Sequence, residues 1–155
     1  MSTVSGLPAH VLLVHFIVVL APLTAVLEIM CALWRAARRH LVWLGAVLAV
    51  VCLILTPLTT DAGEWLEHHV DVTPAIRTHT ELGDTMIYVS VALVIAAILL
   101  VMVHLRESRG RALNNAAVLA ISALVVIVGI GTVVQVYRIG DSGARSAWGD
   151  TVSGK

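Results

Sequence analysis

Five side chains scattered through the chain, His10, His15, Asp61, His79 and Asp141, are of the types that hold transition metals. Imidazole nitrogen and carboxylate oxygen together suit Zn, Mn, Fe or Cu. No Cys-x-x-Cys or His-Glu-x-x-His run places such ligands locally, so only tertiary folding can bring them together. His10 and His15 stand about 140° apart on an ideal helix and ~7.5 Å apart in height, which prevents easy chelation of one ion by both. The deeper His15 is the expected buried ligand, and His10 is expected to orient it, bind at the surface or carry protons. Alternatively His15 and His79 ligate the iron of a haem b from opposite sides, which takes two imidazoles and an apolar pocket. His40 and His104 border Arg-rich turns and read as exposed, as does the Glu64–His68 face. Glu28 is the only acidic residue inside a long apolar stretch, which makes it a functional candidate. Asn114 or Asn115 would satisfy it, or it would snorkel toward Arg35 or Arg38. No nucleophile elbow accompanies the Ser and Thr residues, which disfavours hydrolysis.

The elements that must position these groups are helices in lipid. Of the 155 residues, 59% are hydrophobic, and the mean hydropathy is +0.94, more than a water-soluble domain of this size can hide. Leu41 to Thr60, Thr85 to Val103 and Ala112 to Tyr137 carry no Asp, Glu, Lys or Arg, and each is long enough to cross a hydrocarbon layer of ~30 Å. With Pro8 to Trp34 they predict an all-α, up-down bundle of four transmembrane helices in a single domain, 1–155, with spans at about 8–34, 41–60, 82–104 and 112–138. A short extramembrane helix is expected at about 61–71, stopping before Pro74, and a flexible tail at 145–155. Pro22 is expected to bend span one, and Gly129 and Gly131 to let span four approach a neighbour closely. Cys31 and Cys52 differ in depth by roughly 10 Å, so they are expected to stay unpaired packing residues.

Charge sign orients the bundle. Arg35, Arg38 and Arg39 lie between spans one and two and Arg106, Arg109 and Arg111 between spans three and four, whereas acidic residues fill the middle connection. Positive-inside bias puts both Arg links in the cytoplasm and both termini on the other side of a plasma membrane. Met1 to Leu7 has no basic residue, so the first apolar run is expected to be a retained helix rather than a signal peptide. A net charge of +0 gives no pull toward nucleic acid. The bilayer is the expected partner, with a homo-oligomer or membrane redox partner beside it.

The two hairpins echo one another. Each enters the membrane with histidine, His10 and His15 or His79, and each returns with Asp-x-Gly, Asp61-Ala62-Gly63 or Asp141-Ser142-Gly143, followed by Trp65 or Trp148. Parallel repeats of this kind relate halves about an axis along the membrane normal and place sites at the shared interface. Folding would therefore converge His10, His15, Asp61, His79 and Asp141 at one end.

The stretches Gly6-Leu7-Pro8-Ala9-His10-Val11-Leu12-Leu13-Val14-His15-Phe16, His79-Thr80-Glu81-Leu82-Gly83 and Arg138-Ile139-Gly140-Asp141-Ser142-Gly143-Ala144 resemble a bacterial membrane family, the domain of unknown function 2231. In that family Pro usually follows the first histidine, where this chain has Val11, and His commonly stands where this chain has Asp141. A carboxylate keeps a metal-ligand type but serves poorly as a haem axial ligand. The resemblance implies four membrane helices and an outward-facing histidine cluster, and no particular reaction.

The leading expectation is a metal or haem site at the outer face, serving redox or metal handling. A competing reading is a structural or partner-binding subunit whose polar groups only fix the bundle. Proton or ion translocation through Glu28 would need a polar path, and between Glu28 and His15 span one offers only Thr24, so other helices or water would have to complete it.

Overall fold

Within hydrocarbon every backbone N–H and C=O has to be paired inside the protein, which leaves the helix as the element for these apolar stretches. The computed structural model describes residues 3–4, 7–111 and 113–152. It consists of a minimal antiparallel pair, β1 (Thr3–Val4) and β2 (Leu7–Pro8), and five helices. These are α1 (Ala9–Leu33), α2 (Arg35–Glu67), α3 (Pro74–Asp84), α4 (Met86–Ser108) and α5 (Asn115–Val152). Four stretches are long and apolar enough to span a membrane: α1, α2, α3 with α4, and α5. The charged Arg77, Glu81 and Asp84 put α3 outside the hydrocarbon layer, and Arg106 and Glu107 mark the end of the span, so the spanning part of that stretch lies within α4 ahead of them. Residue 112, the expected start of span four, and 153–155 of the expected tail lie outside the described residues, as does Gly6.

Boundaries differ from expectation where local chemistry is stronger than composition suggests. The link expected at Arg35–His40 is the first part of α2, and only Trp34 is extended (φ −124°, ψ 119°). Arg and Ala are strong helix formers, and no Gly or Pro interrupts them. At its other end α2 runs straight on to Glu67, past Pro57, and stops short of residue 71. A further helix, α3, follows where none was expected. It starts on Thr73, whose Oγ1 accepts from Ile76 N at 3.3 Å, with Pro74 at the first helical position. The tail expected to be loose from 145 is helical to Val152. Its serines donate to carbonyls of their own helix, Ser142 to Ile139 O and Ser146 to Gly143 O, and α3 packs against α5.

α1 packs on α2 and α5, and α4 packs on the same two helices, so α1 and α4 occupy one diagonal and α2 and α5 the other. The interior is made of small or slim side chains, Ala21, Ala25, Ala49, Cys52, Ala97 among them, in two adjoining apolar clusters. Phe16, Val19, Val47, Ile54, Ile98, Leu119 and Ile127 point outward, an apolar coat suited to acyl chains. Trp34 and Trp43 are exposed at the Arg end and Tyr88 and Tyr137 toward the His end, as interfacial aromatics would be.

The echo between hairpins extends through the core. A shift of 69 positions carries buried Ile17, Ala21, Thr24, Glu28 and Cys31 of α1 onto buried Met86, Ser90, Leu93, Ala97 and Leu100 of α4. A shift of 80 carries buried Gly45, Ala49, Cys52 and Thr56 of α2 onto buried Val125, Gly129, Thr132 and Val136 of α5. The hairpins thus repeat one another in burial register about an axis through the middle of the bundle.

Candidate functional site

The same two shifts lead to the end of the bundle where His10 and His79 meet. Each imidazole lies on the glycine of its own hairpin's Asp-x-Gly. A Cβ on Gly63 would fall 2.9 Å from His10 Nδ1, and one on Gly143 would fall 3.0 Å from His79 Cε1, so both positions have to lack a side chain for the rings to sit there. The two rings face each other edge-on, with centroids 6.2 Å apart and planes at 79°.

Their hydrogen bonds fix which nitrogen carries the proton. His10 Nδ1 lies 2.9 Å from Thr59 O, and since a carbonyl only accepts, Nδ1–H is the donor. His79 Nδ1 lies 3.0 Å from Ser142 Oγ. That hydroxyl donates its own proton to Ile139 O at 2.8 Å, so it accepts from the imidazole. Thr59 and Ile139 are themselves related by the shift of 80. In the neutral form of each ring Nε2 is then the lone-pair acceptor. Burial pushes the His79 pKa below its ordinary value, the neighbouring His10 lowers it further, and the Ile139 carbonyl acts in the opposite sense. Replacing His10 by Ala should accordingly raise the His79 titration midpoint, measured by NMR of the imidazole carbons. An unchanged or lower midpoint would show that the rings do not sense each other.

The other expected ligands are placed apart from this pair. His15, expected to be the buried ligand, is exposed, and its Nδ1 donates to Val11 O of its own helix. His10, expected in the auxiliary role, is the residue that crosses to α2 and meets His79. The reason is geometric: the ~140° between the two positions allows only one to face the bundle. Asp61 is exposed, and Asp141 pairs with Arg145 at 3.0 Å. Among the described residues no three His, Cys, Asp or Glu side chains form a group that would hold a metal ion. The five-residue cluster is thus reduced to two imidazoles. Glu64 and His68 are exposed, while Glu67 accepts from Thr80 Oγ1 at 3.1 Å and so ties α2 to α3.

Two polar centres lie deeper. At the opposite end Arg38 is 2% exposed. Its Nη2 and Nε meet Glu107 at 3.0 and 3.2 Å, and Nη1 donates to Cys31 O at 2.6 Å. Glu107, beyond the spanning part of α4, has its pKa lowered chiefly by the Arg38 hydrogen bond. Arg38 was legible as a link charge, but Glu107, an acid within the other Arg-rich link, was not singled out, and their pairing across 69 positions was not legible. Between the two ends lies Glu28, 1% exposed, with neither carboxyl oxygen hydrogen-bonded among the described residues. It takes none of the expected partners. Asn114 Oδ1 caps α5 by accepting from Ala117 N, Asn115 is exposed, and Arg38 is engaged with Glu107 and α1's last carbonyls. Cys31 and Cys52 are free and buried, as expected.

No curated protein and no solved structure matches the chain. Residues 6–155 match the family described as "Predicted membrane protein (DUF2231)", and with four helices of membrane-spanning length and composition in accord with that description, the chain belongs to this family of multi-pass membrane proteins.

Proposed function

We propose that this membrane protein binds a transition-metal ion or a haem b at the end of its bundle facing away from the cytoplasm, through Nε2 of His10 and of His79, and serves redox or metal handling in the plasma membrane. The observation that carries this reading is the matched pair of anchored imidazoles: each donates Nδ1–H to a protein acceptor, so that in the neutral ring Nε2 carries the lone pair a metal needs. Metal-ligating histidines are oriented by the same device. Two nitrogen ligands leave positions for the four nitrogens of a porphyrin, or for water on a free ion. His15, Asp61 and Asp141 lie outside this set. Positive-inside bias from the Arg links supports the orientation, and electron or metal exchange at this surface would call for a redox partner or a second copy.

Purification from membranes with native cofactor, then metal analysis and an optical spectrum, tests the reading. Wild type and His15→Ala should carry the same metal or porphyrin, and His10→Ala and His79→Ala should lose it. Wild-type protein that is colourless and free of transition metal, or loss in His15→Ala alone, would overturn it. A second reading has its own observation, that the Nδ1 bonds join α1 to α2 and α3 to α5. If these histidines only fasten the bundle, alanine lowers the unfolding temperature and changes no bound species.

A further inference from the structure

Glu28 carries an inference that does not depend on any metal at the histidine pair. A carboxyl group walled off from solvent with no hydrogen-bond partner among the described residues is an exception among buried polar groups, and an intramembrane one is a functional group by default. It sits on α1 at the seam of the two apolar clusters, between Ala25 and Cys31. On α2 it faces Gly45, where a Cβ would lie 3.8 Å from Glu28 Cγ, so the missing side chain leaves room beside the carboxyl. The titratable groups around it are Cys31 on its own helix and Cys52 on α2, while Arg38, beside Cys31, is held by Glu107. The buried faces of α4 and α5 at this depth, Ala96, Ala97, Leu100 and Val125, carry none. A carboxylate there has no counter-charge within hydrogen-bond reach among the described residues.

From Glu28 a column of polar side chains leads to the histidine end, and helices other than α1 supply most of it. Thr24 stands one turn away on α1, and its Oγ1 lies 3.8 Å from Cys52 Sγ on α2. One turn further along α2, Thr56 Oγ1 lies 2.7 Å from Ser90 Oγ on α4. Beyond it the Thr59 carbonyl accepts from His10. Each step is about one helical turn, ~5.4 Å along the axis, so transfer along the column requires a water molecule admitted at each step. Toward the other end the Arg38–Glu107 pair, joined to the Cys31 carbonyl, closes the bundle.

We propose that Glu28 is the proton-binding residue of a proton path along the bundle axis, which enters beside the His10–His79 pair and is closed at the far end by Arg38 and Glu107. A proton from water at the histidine end passes along the hydroxyl column to the Glu28 carboxylate and forms the acid. Release to water at the Arg end regenerates the carboxylate, with Arg38 turning from Cys31 O to supply its counter-charge. The transmembrane electrochemical gradient is the only driving force required.

The test uses the full chain in vesicles of neutral phospholipid enclosing a pH-sensitive dye, with a potassium diffusion potential set by valinomycin. Wild type should acidify or alkalinise the lumen faster than protein-free vesicles, according to the sign of the potential. Glu28→Gln should lose that excess, and Glu28→Asp should keep part of it. Dicyclohexylcarbodiimide, which adds across a protonated carboxyl in an apolar setting, provides a readout on wild-type protein even if Glu28→Gln fails to fold. It should modify Glu28, located by mass spectrometry, and abolish the excess flux. Wild type no faster than protein-free vesicles, a folded Glu28→Gln as fast as wild type, or flux surviving full modification of Glu28 would each overturn the proposal.

Discussion

Replacing Arg38 by Ala should destabilise the bundle more than any other charge deletion in this chain, by about 3–5 kcal/mol, the range for removing one partner of a buried ion pair. Four hydrogen bonds are lost together, two to Glu107 and one each to the Cys31 and Ala32 carbonyls. Glu107, with a side chain only 12% exposed, loses its short contact, and Arg35 at 3.4 Å is 66% exposed and compensates poorly. The Cys31 carbonyl at the end of α1 also loses its cation. Thermal unfolding in detergent reads the effect, and a double-mutant cycle separates its parts. Glu107→Gln should cost less, and Arg38→Met with Glu107→Gln should recover much of the loss, because no unpaired charge then remains. Acid dependence gives an independent signature. The Glu107 pKa is depressed in the native state, so the unfolded chain binds more protons as pH falls through the ordinary carboxylate range. The stability this pair contributes is therefore full above that range and is lost as pH falls through the depressed native value. Arg38→Ala should be less stable at neutral pH and should lack that part of the acid sensitivity. Equal acid profiles in the two proteins would remove the pair as its cause.

The bundle was legible because lipid as solvent leaves so few options. Charge-free runs such as Leu41 to Thr60 have one structural outcome in hydrocarbon, and the short Arg links force antiparallel neighbours. The ends were less legible, because there propensity and tertiary contact compete. The Arg35–His40 stretch was read as a link from its charge, although its residues favour helix. The tail from 145 was expected to be loose, but the Ser142 and Ser146 hydroxyls are satisfied by carbonyls one turn back and α3 supports this end of α5. The Asp-x-Gly echo pointed to the right two places for the wrong reason. Aspartate, the conspicuous residue, is exposed or tied to Arg145, whereas glycine is the member each imidazole requires. A flat surface for a ring leaves no mark in ligand chemistry, so only the repetition in sequence could have indicated it. The partner of Arg38 and the lack of one for Glu28 are properties of side-chain placement that no single sequence prints.

Gly63→Ala and Gly143→Ala follow from that glycine role as a matched pair of tests, each carrying the smallest added group that displaces one imidazole. At Gly63 the new methyl would sit 2.9 Å from His10 Nδ1, the atom that donates to Thr59 O, so the ring has to rotate away and the bond breaks. At Gly143 the methyl meets His79 Cε1 at 3.0 Å and Nδ1 at 3.4 Å, which pulls the ring off Ser142. Each substitution inserts one carbon against a side chain that can move, so stability should fall by about 1–3 kcal/mol, the range for overpacking. The loss of ligand affinity should be of similar size in free energy. An imidazole that loses its orienting partner typically forfeits about 10–100-fold in metal affinity, and if the two histidines share one centre, as proposed, either glycine variant should weaken it to a similar degree. Cobalt titration of wild type and both variants, followed by absorption, measures this, with Gly140→Ala as a control because nothing lies within 4 Å of a Cβ there. The equality is what distinguishes a shared site at the repeat axis from two unrelated surface histidines. If only one glycine mattered, or if Gly140→Ala weakened binding as much, the symmetric pair would not be the binding unit. If both variants bound as wild type while the His10–Thr59 bond was shown broken by NMR, orientation through Nδ1 would play no part in it.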